Sequence, residues 1–184
     1  SREVTRTVTN RVAGQIAGGD LAVTAGDVDN ATGAALSAGG DATIASVSAL
    51  RNDGSVHADG ALRLSAGSFA QSGKAYGGAS LDLAATDAVD NRGDLIGGGD
   101  VRIDAGSIAS SGQLGSQRGQ VALDSRGDLR LDGVVVAAGA LRAEALGDLQ
   151  QRGSLQAQSA TLLAGRDLGL SGALKSATSL DLQA

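Results

Sequence analysis

Gly-Gln-Ile-Ala-Gly-Gly-Asp-Leu-Ala-Val-Thr-Ala-Gly-Asp-Val-Asp-Asn, residues 14–30, decides the fold of this chain. An aliphatic residue, Ile16, follows the opening glycine. A turn of small residues comes next, Gly18-Gly19-Asp20, and then an alternating pair, Leu21 and Val23. A second small turn, Ala25-Gly26, leads to a third apolar site, Val28, and the line closes on polar Asp29-Asn30. Apolar residues alternating over three to five positions mark strands, because successive side chains on a strand point to opposite faces. No window keeps a 3.6-residue period, so no helix is expected. Glycine, Asn and Asp at the corners tolerate the left-handed backbone that tight bends use. One such line has too little apolar surface to stand alone. It can be buried only against copies of itself.

Copies are present throughout. Lines open at Gly14, Gly33, Gly54, Gly73, Gly93, Gly112, Gly133, Gly153 and Gly172, at intervals of 19 to 21 residues. The first aliphatic site recurs as Ile16, Leu36, Val56, Leu95, Leu114, Val135, Leu155 and Leu174. The alternating pair recurs as Ala42/Ile44, Leu62/Leu64, Leu81/Leu83, Val101/Ile103, Val121/Leu123, Leu141/Ala143, Thr161/Leu163 and Leu180/Leu182. The third site recurs as Phe69, Val89, Ile108, Leu129 and Leu168. The expected fold is all-β: a right-handed parallel β-helix of about nine coils of 19–21 residues, three short strands to each. At a strand spacing of about 4.8 Å it would be a rod on the order of 45 Å long. Residues 1–184 form a single repeat segment. Residues 1–13 read as the tail of a preceding coil, since Val8-Thr9-Asn10 matches Val28-Asp29-Asn30, and 172–184 as an incomplete last one. Neither end carries a cap, and an uncapped solenoid exposes strand edges and core. The expectation is a segment of a longer filament.

Composition agrees with a narrow, layered core. Phe69 and Tyr76 are the only aromatics, and Pro, Cys, Met and Trp are absent. Hydrophobic residues at 42% and a net charge of −5 argue against disorder. Without Cys there is neither a disulfide framework nor a zinc finger. A pI near 4.7 leaves no basic patch for nucleic acid. No apolar run is long enough to span a membrane, and no signal peptide opens the sequence.

Residues 14–30, together with Asn-Arg-Gly-Asp-Leu-Ile-Gly-Gly-Gly-Asp-Val-Arg-Ile-Asp-Ala-Gly at 91–106, resemble the haemagglutinin repeats of filamentous haemagglutinins, the large exoproteins of two-partner secretion in Gram-negative bacteria. The resemblance covers essentially the whole chain. It implies a parent secreted through a dedicated outer-membrane transporter and displayed at the bacterial cell surface. There it would mediate adhesion to host cells through a surface receptor, an integrin or a glycan. The stalks of contact-dependent growth-inhibition toxins carry similar repeats, so toxin delivery stands as the alternative. The secretion domain of the family and a toxin domain are not visible in this segment. A carbohydrate-active enzyme on a β-helix is the remote third reading. Glycosidic chemistry needs paired carboxylates, and sugars stack on aromatics. Two aromatics and no long loops speak against it, and no enzymatic activity and no cofactor are expected.

Arg-Gly-Asp occurs at Arg92-Gly93-Asp94 and at Arg126-Gly127-Asp128. A cation and a carboxylate projecting from a glycine bend can meet an integrin and its metal, a role some filamentous haemagglutinins are associated with. The bland reading is that Gly, Asp and Arg are simply the residues these corners favour. Gly93 opens a line, so the first copy looks like an ordinary corner. The second lies in Asp124–Leu129, one residue longer than the equivalent Asp104–Ile108, and is the better presented. His57 lies at an outward position without a Cys or His partner, which makes it a surface residue. Asp20, Asp41 and Asp100 could stack around calcium, but a period near 20 is not the nine-residue calcium-binding repeat. They read as turn-formers, and no metal site is expected. Asn30, Asn52 and Asn91 share one corner and suggest an internal amide ladder. Gly-x-Gly-x-x-Gly patterns lack a βαβ context. The Thr5-x-Thr7-x-Thr9 row is not repeated in later coils, as an ice-binding face would require.

Overall fold

A computed structural model describes residues 7–10 and 14–184 of the chain. Every element in it is a strand, and every strand pairing is parallel. The strands stack in three columns, one from each third of a coil. The first column starts with Gln15–Gly18 and Ala35–Ala38, the second with Leu21–Ala25 and Ala42–Ser46, the third with Thr7–Asn10 and Asp27–Asn30. The third column holds nine strands, so about eight turns separate its two ends.

Register follows the repeat. Leu36, Val56, Ala75, Leu95, Leu114, Val135 and Leu155 lie one above another in the first column. Ile44, Leu64, Leu83, Ile103, Leu123, Ala143 and Leu162 do so in the second. Val28, Leu50, Phe69, Val89, Ile108, Leu129 and Leu149 form the third row. The three rows meet along the axis as one continuous core. Val8, Thr9 and Asn10 lie beside Val28, Asp29 and Asn30. Thr5 and the rest of 1–6 and 11–13 lie outside the described residues.

Two expectations need correction. Thr161 and Leu163 were expected to point inward, but Ala160 and Leu162 are the buried pair. Ala157-Gln158-Ser159 holds neither Gly nor Asp, so no tight turn forms there. The chain runs on as one strand, Ser154–Ala164, through the corner between the first two columns. The slack is taken up at a bulge near Ala157/Ser159, and the alternation slips by one position. Corner glycines were expected to supply left-handed backbone. Among the described residues only Gly33 takes it, with φ of 80°. The line-opening glycines are needed for another reason. A Cβ on Gly73, Gly93, Gly112, Gly133, Gly153 or Gly172 would collide with the carbonyl of the line-opening glycine one coil earlier. Coils stacked at strand spacing leave room for hydrogen alone at that corner.

Candidate functional site

Exposed charged side chains such as Arg63, Arg102 and Arg142 lie on the strand faces, but both Arg-Gly-Asp tripeptides lie at corners, and the stacking decides what each corner residue touches. Arg126-Gly127-Asp128 occupies the turn between the second and third columns. Ser125 is buried and Leu129 is buried, so the three residues between them must stand outward. The expected extra residue is present. The longer turn is also found at 46–50, 85–89, 145–149 and 164–168, so it is a recurring variant of the corner.

Both charged side chains are more than half exposed, Arg126 at 53% and Asp128 at 63%. They diverge along the rod axis. Arg126 reaches back: its guanidinium meets Asp104 Oδ1 at 2.7 Å and donates to Ala85 O at 2.7 Å and Thr86 O at 3.1 Å, two coils away. Asp128 reaches forward: its Oδ1 accepts from the Asp148 amide at 2.9 Å and from Arg166 at 2.9 Å. The Asp148 N–H, and after it the Arg166 guanidinium, hold the Asp128 carboxyl below the usual carboxylate range. The turn is tied down as well, with Ser125 Oγ donating to Asp128 O at 2.9 Å.

Arg92-Gly93-Asp94 lies at the corner before the first column. Arg92 pairs with Asp90 at 2.6 Å, and Asp94 faces Lys74 at 3.9 Å. Gly93 is one of the glycines packed on its predecessor's carbonyl. The two tripeptides sit on different corners and do not form a joint surface.

The turn aspartates have a shared task. Asp20 Oδ1 accepts from the Asp41 amide at 3.0 Å, Asp41 from Ala61 at 2.8 Å, and Asp100 from Gln120 at 3.0 Å. Each carboxylate clasps a backbone N–H one coil later. It also lies over Gly40, Gly60 or Gly119, where a side chain would displace it. Asp128 follows the same pattern on its own corner, with Gly147 beneath it. Among the described residues no group of three or more His, Cys, Asp or Glu could hold a metal ion. Among the described residues no helix is long and apolar enough to cross a membrane.

His57 points outward, stacks on Tyr76 with ring centroids 5.3 Å apart, and meets Asp59 at 2.8 Å. The amide ladder exists. Asn30 Nδ2 donates to Asn52 Oδ1 at 2.8 Å, Asn52 to Gln71 at 3.1 Å, Gln71 to Asn91 at 3.0 Å, and Asn91 to Ser110 Oγ at 3.1 Å. Gln71 and Ser110 were not foreseen as members. Nor were Asp104, Asp148 and Arg166 as partners of the tripeptide, although the spacing of Asp128 and Asp148 by one repeat was there to be read.

A family model described as the haemagglutinin repeat matches residues 4–66, 57–133 and 118–184, which overlap to span the chain. No curated protein and no solved structure matches it.

Proposed function

The chain belongs to the haemagglutinin-repeat family, and on that premise we propose that it is a non-enzymatic rod segment of a secreted, surface-displayed adhesin whose parent leaves the cell through an outer-membrane two-partner transporter. The observation that carries the reading is the parallel stacking of three strand columns around one continuous core through about eight turns. Such a rod adds length without adding a centre, so it suits display at a distance from the membrane. A toxin-carrying stalk would use the same segment. The two differ in what the distal end of the parent encodes.

Adhesion through Arg126-Gly127-Asp128 is the finer proposal, supported by the exposure of both charged groups on an outward turn. Arg92-Gly93-Asp94 is the lesser candidate, because Gly93 is fixed by packing. The test is integrin-dependent attachment of host cells to surfaces coated with the folded chain, compared with its Asp94→Ala and Asp128→Asn variants. Asparagine keeps an oxygen to clasp the Asp148 amide but removes the charge a receptor metal needs, so folding and attachment separate. Loss of attachment in Asp128→Asn, with an unchanged circular dichroism spectrum, is expected. Attachment equal to that of the unmodified chain in both variants would remove the tripeptides from the proposal. Attachment no better than to an albumin-coated surface would remove adhesion by this segment, leaving the rod as a stalk.

A further inference from the structure

The corner between the second and third columns is corrugated. In consecutive coils the step from the last buried residue of the second column to the first of the third alternates: short at Ala25–Val28, long at Ser46–Leu50, short at Ala66–Phe69, long at Ala85–Val89, short at Ala105–Ile108, long at Ser125–Leu129. Long turns raise Val47, Thr86 and Arg126 as ridges. Short turns sink Gly67 and Gly106 between them, each tucked so closely under the preceding turn that a Cβ would strike its carbonyls. From residue 25 to 129 ridges therefore recur every second coil, about 10 Å apart, whereas the turns at 145–149 and 164–168 that follow are long in succession.

The two furrows share the same backbone outline and differ in side walls and contents. The Gly106 furrow is filled by Arg126, whose guanidinium lies over the turn carbonyls of Ala85 and Thr86 with Asp104 beside it. In the Gly67 furrow the equivalent carbonyls are Ser46 O and Val47 O. Ser65 stands in register where Asp104 stands in the other. The residue two coils on is Thr86, too short to cross. A cleft of about 450 Å³ remains there, lined by Val47, Ser65, Gly67 and Thr86, with Arg126 and Asp104 at its far end.

We propose that the Gly67 furrow binds a guanidinium group presented by another molecule, an arginine side chain of a partner protein, in the way the next furrow binds Arg126. The molecule supplies the template for its own ligand. In the template one guanidinium nitrogen, Nη2, donates to both carbonyls while Nη1 meets Asp104. With Ser65 at the register position of Asp104, the planar donor fork of arginine suits the carbonyl pair and the serine hydroxyl together better than the point charge of lysine does. The exposed Val47 side chain offers an apolar wall to the methylene stem. The charge of Arg126 at the cleft's end is balanced by Asp104 at 2.7 Å. The inference is independent of the adhesive reading and needs no tripeptide.

The experiment is a nuclear magnetic resonance titration of the isotope-labelled chain with N-acetyl-arginine amide, and in parallel with N-acetyl-lysine amide. Expected are shifts confined to the amides around Val47, Gly67 and Thr86, saturating at millimolar arginine amide and at least several-fold weaker with the lysine compound. Thr86→Arg plants an internal guanidinium in the furrow and should abolish them. Arg126→Thr empties the second furrow and should produce a second set of shifts around Gly106. The proposal is overturned if the lysine compound binds equally, if Thr86→Arg leaves the shifts in place, or if Arg126→Thr creates no new set. Should Thr86→Arg fail to fold, the doubling expected of Arg126→Thr decides alone.

Discussion

Replacing Asn52 by leucine should destabilise the rod although it opens no cavity. Asn52 is fully buried. Its Oδ1 accepts from Asn30, and its Nδ2 donates to Gln71 Oε1 at 3.1 Å and to Lys74 O at 3.0 Å. Leucine has nearly the same volume, so no cavity opens. Gln71 Oε1 and the Lys74 carbonyl each lose a donor and Asn30 Nδ2 loses an acceptor, at about 1–3 kcal/mol apiece. The added apolar surface returns about 1–2 kcal/mol. Asn52→Leu should therefore destabilise by about 1–8 kcal/mol, about 4 kcal/mol at the middle of that range. A solenoid opens locally as well as globally, so the assay is native-state hydrogen exchange together with urea unfolding. Protection should fall first at the amides of 50–56 and 69–76, the two coils that share the ladder rung. Exchange unchanged at those amides, with a urea midpoint equal to that of the unmodified chain, would refute the claim that the neighbouring polar groups depend on Asn52 for their hydrogen bonds.

The native chain contains a comparable break: Leu131 occupies the ladder position between Ser110 and Gln151, and Gln151 Oε1 is buried without a partner. Leu131→Asn restores that donor at about the free energy the lost leucine burial removes, so its urea midpoint should stay within about 1 kcal/mol of the unmodified chain, where an ordinary buried Leu-to-polar change costs several times more. Gly112→Ala should lose about 1–3 kcal/mol through overpacking against the Gly93 carbonyl, and Gly19→Ala, whose Cβ meets nothing, should lose none; thermal unfolding of the pair checks this. Acid sensitivity has a definite sign. Asp41, held down by the Ala61 amide and then Arg63, Asp53 by Ser72 and then Arg51, and Asp128 by the Asp148 amide all have folded-state values below the usual carboxylate one. Their contribution is fully present above about pH 4 and is lost as pH falls through the depressed folded values. A urea-midpoint profile should be level above about pH 5 and fall below pH 4, and replacing all three by Asn should flatten that fall.

Most of the fold was legible because the repeat carries its own check. A glycine, an aliphatic residue, an alternating pair and a third apolar site fall at fixed offsets, and only one stacking superposes them. The slip at 157–164 was not legible. Thr161 and Leu163 continue the spacing of Leu141 and Ala143, but the strand that runs straight through 157–159 brings Ala160 and Leu162 inward instead. Gln71 escaped notice because the ladder was sought as a row of Asn, whereas the geometry asks only for an amide whose donor reaches the next coil. The partners of Arg126 and Asp128 are backbone and side-chain groups one and two coils away, which a linear reading places some 20 to 40 residues off. The corrugation was present in the unequal intervals between glycines, but its meaning lay in which of the three corners took the extra residue.

The ladder also has a direction. From Asn30 to Ser110 every side-chain amide gives its hydrogen toward the carboxyl end, and Asn30, Asn52, Gln71 and Asn91 also donate to a backbone carbonyl of the following coil. A chain wound from its amino end thus holds out an unspent donor at each completed rung, which the next rung satisfies as it settles. Winding becomes a one-way zipper, each tooth set by the last. Leu131 interrupts it and Leu170 takes the position after Gln151, so that unzipping begun at the far end meets the continuous ladder only at Ser110.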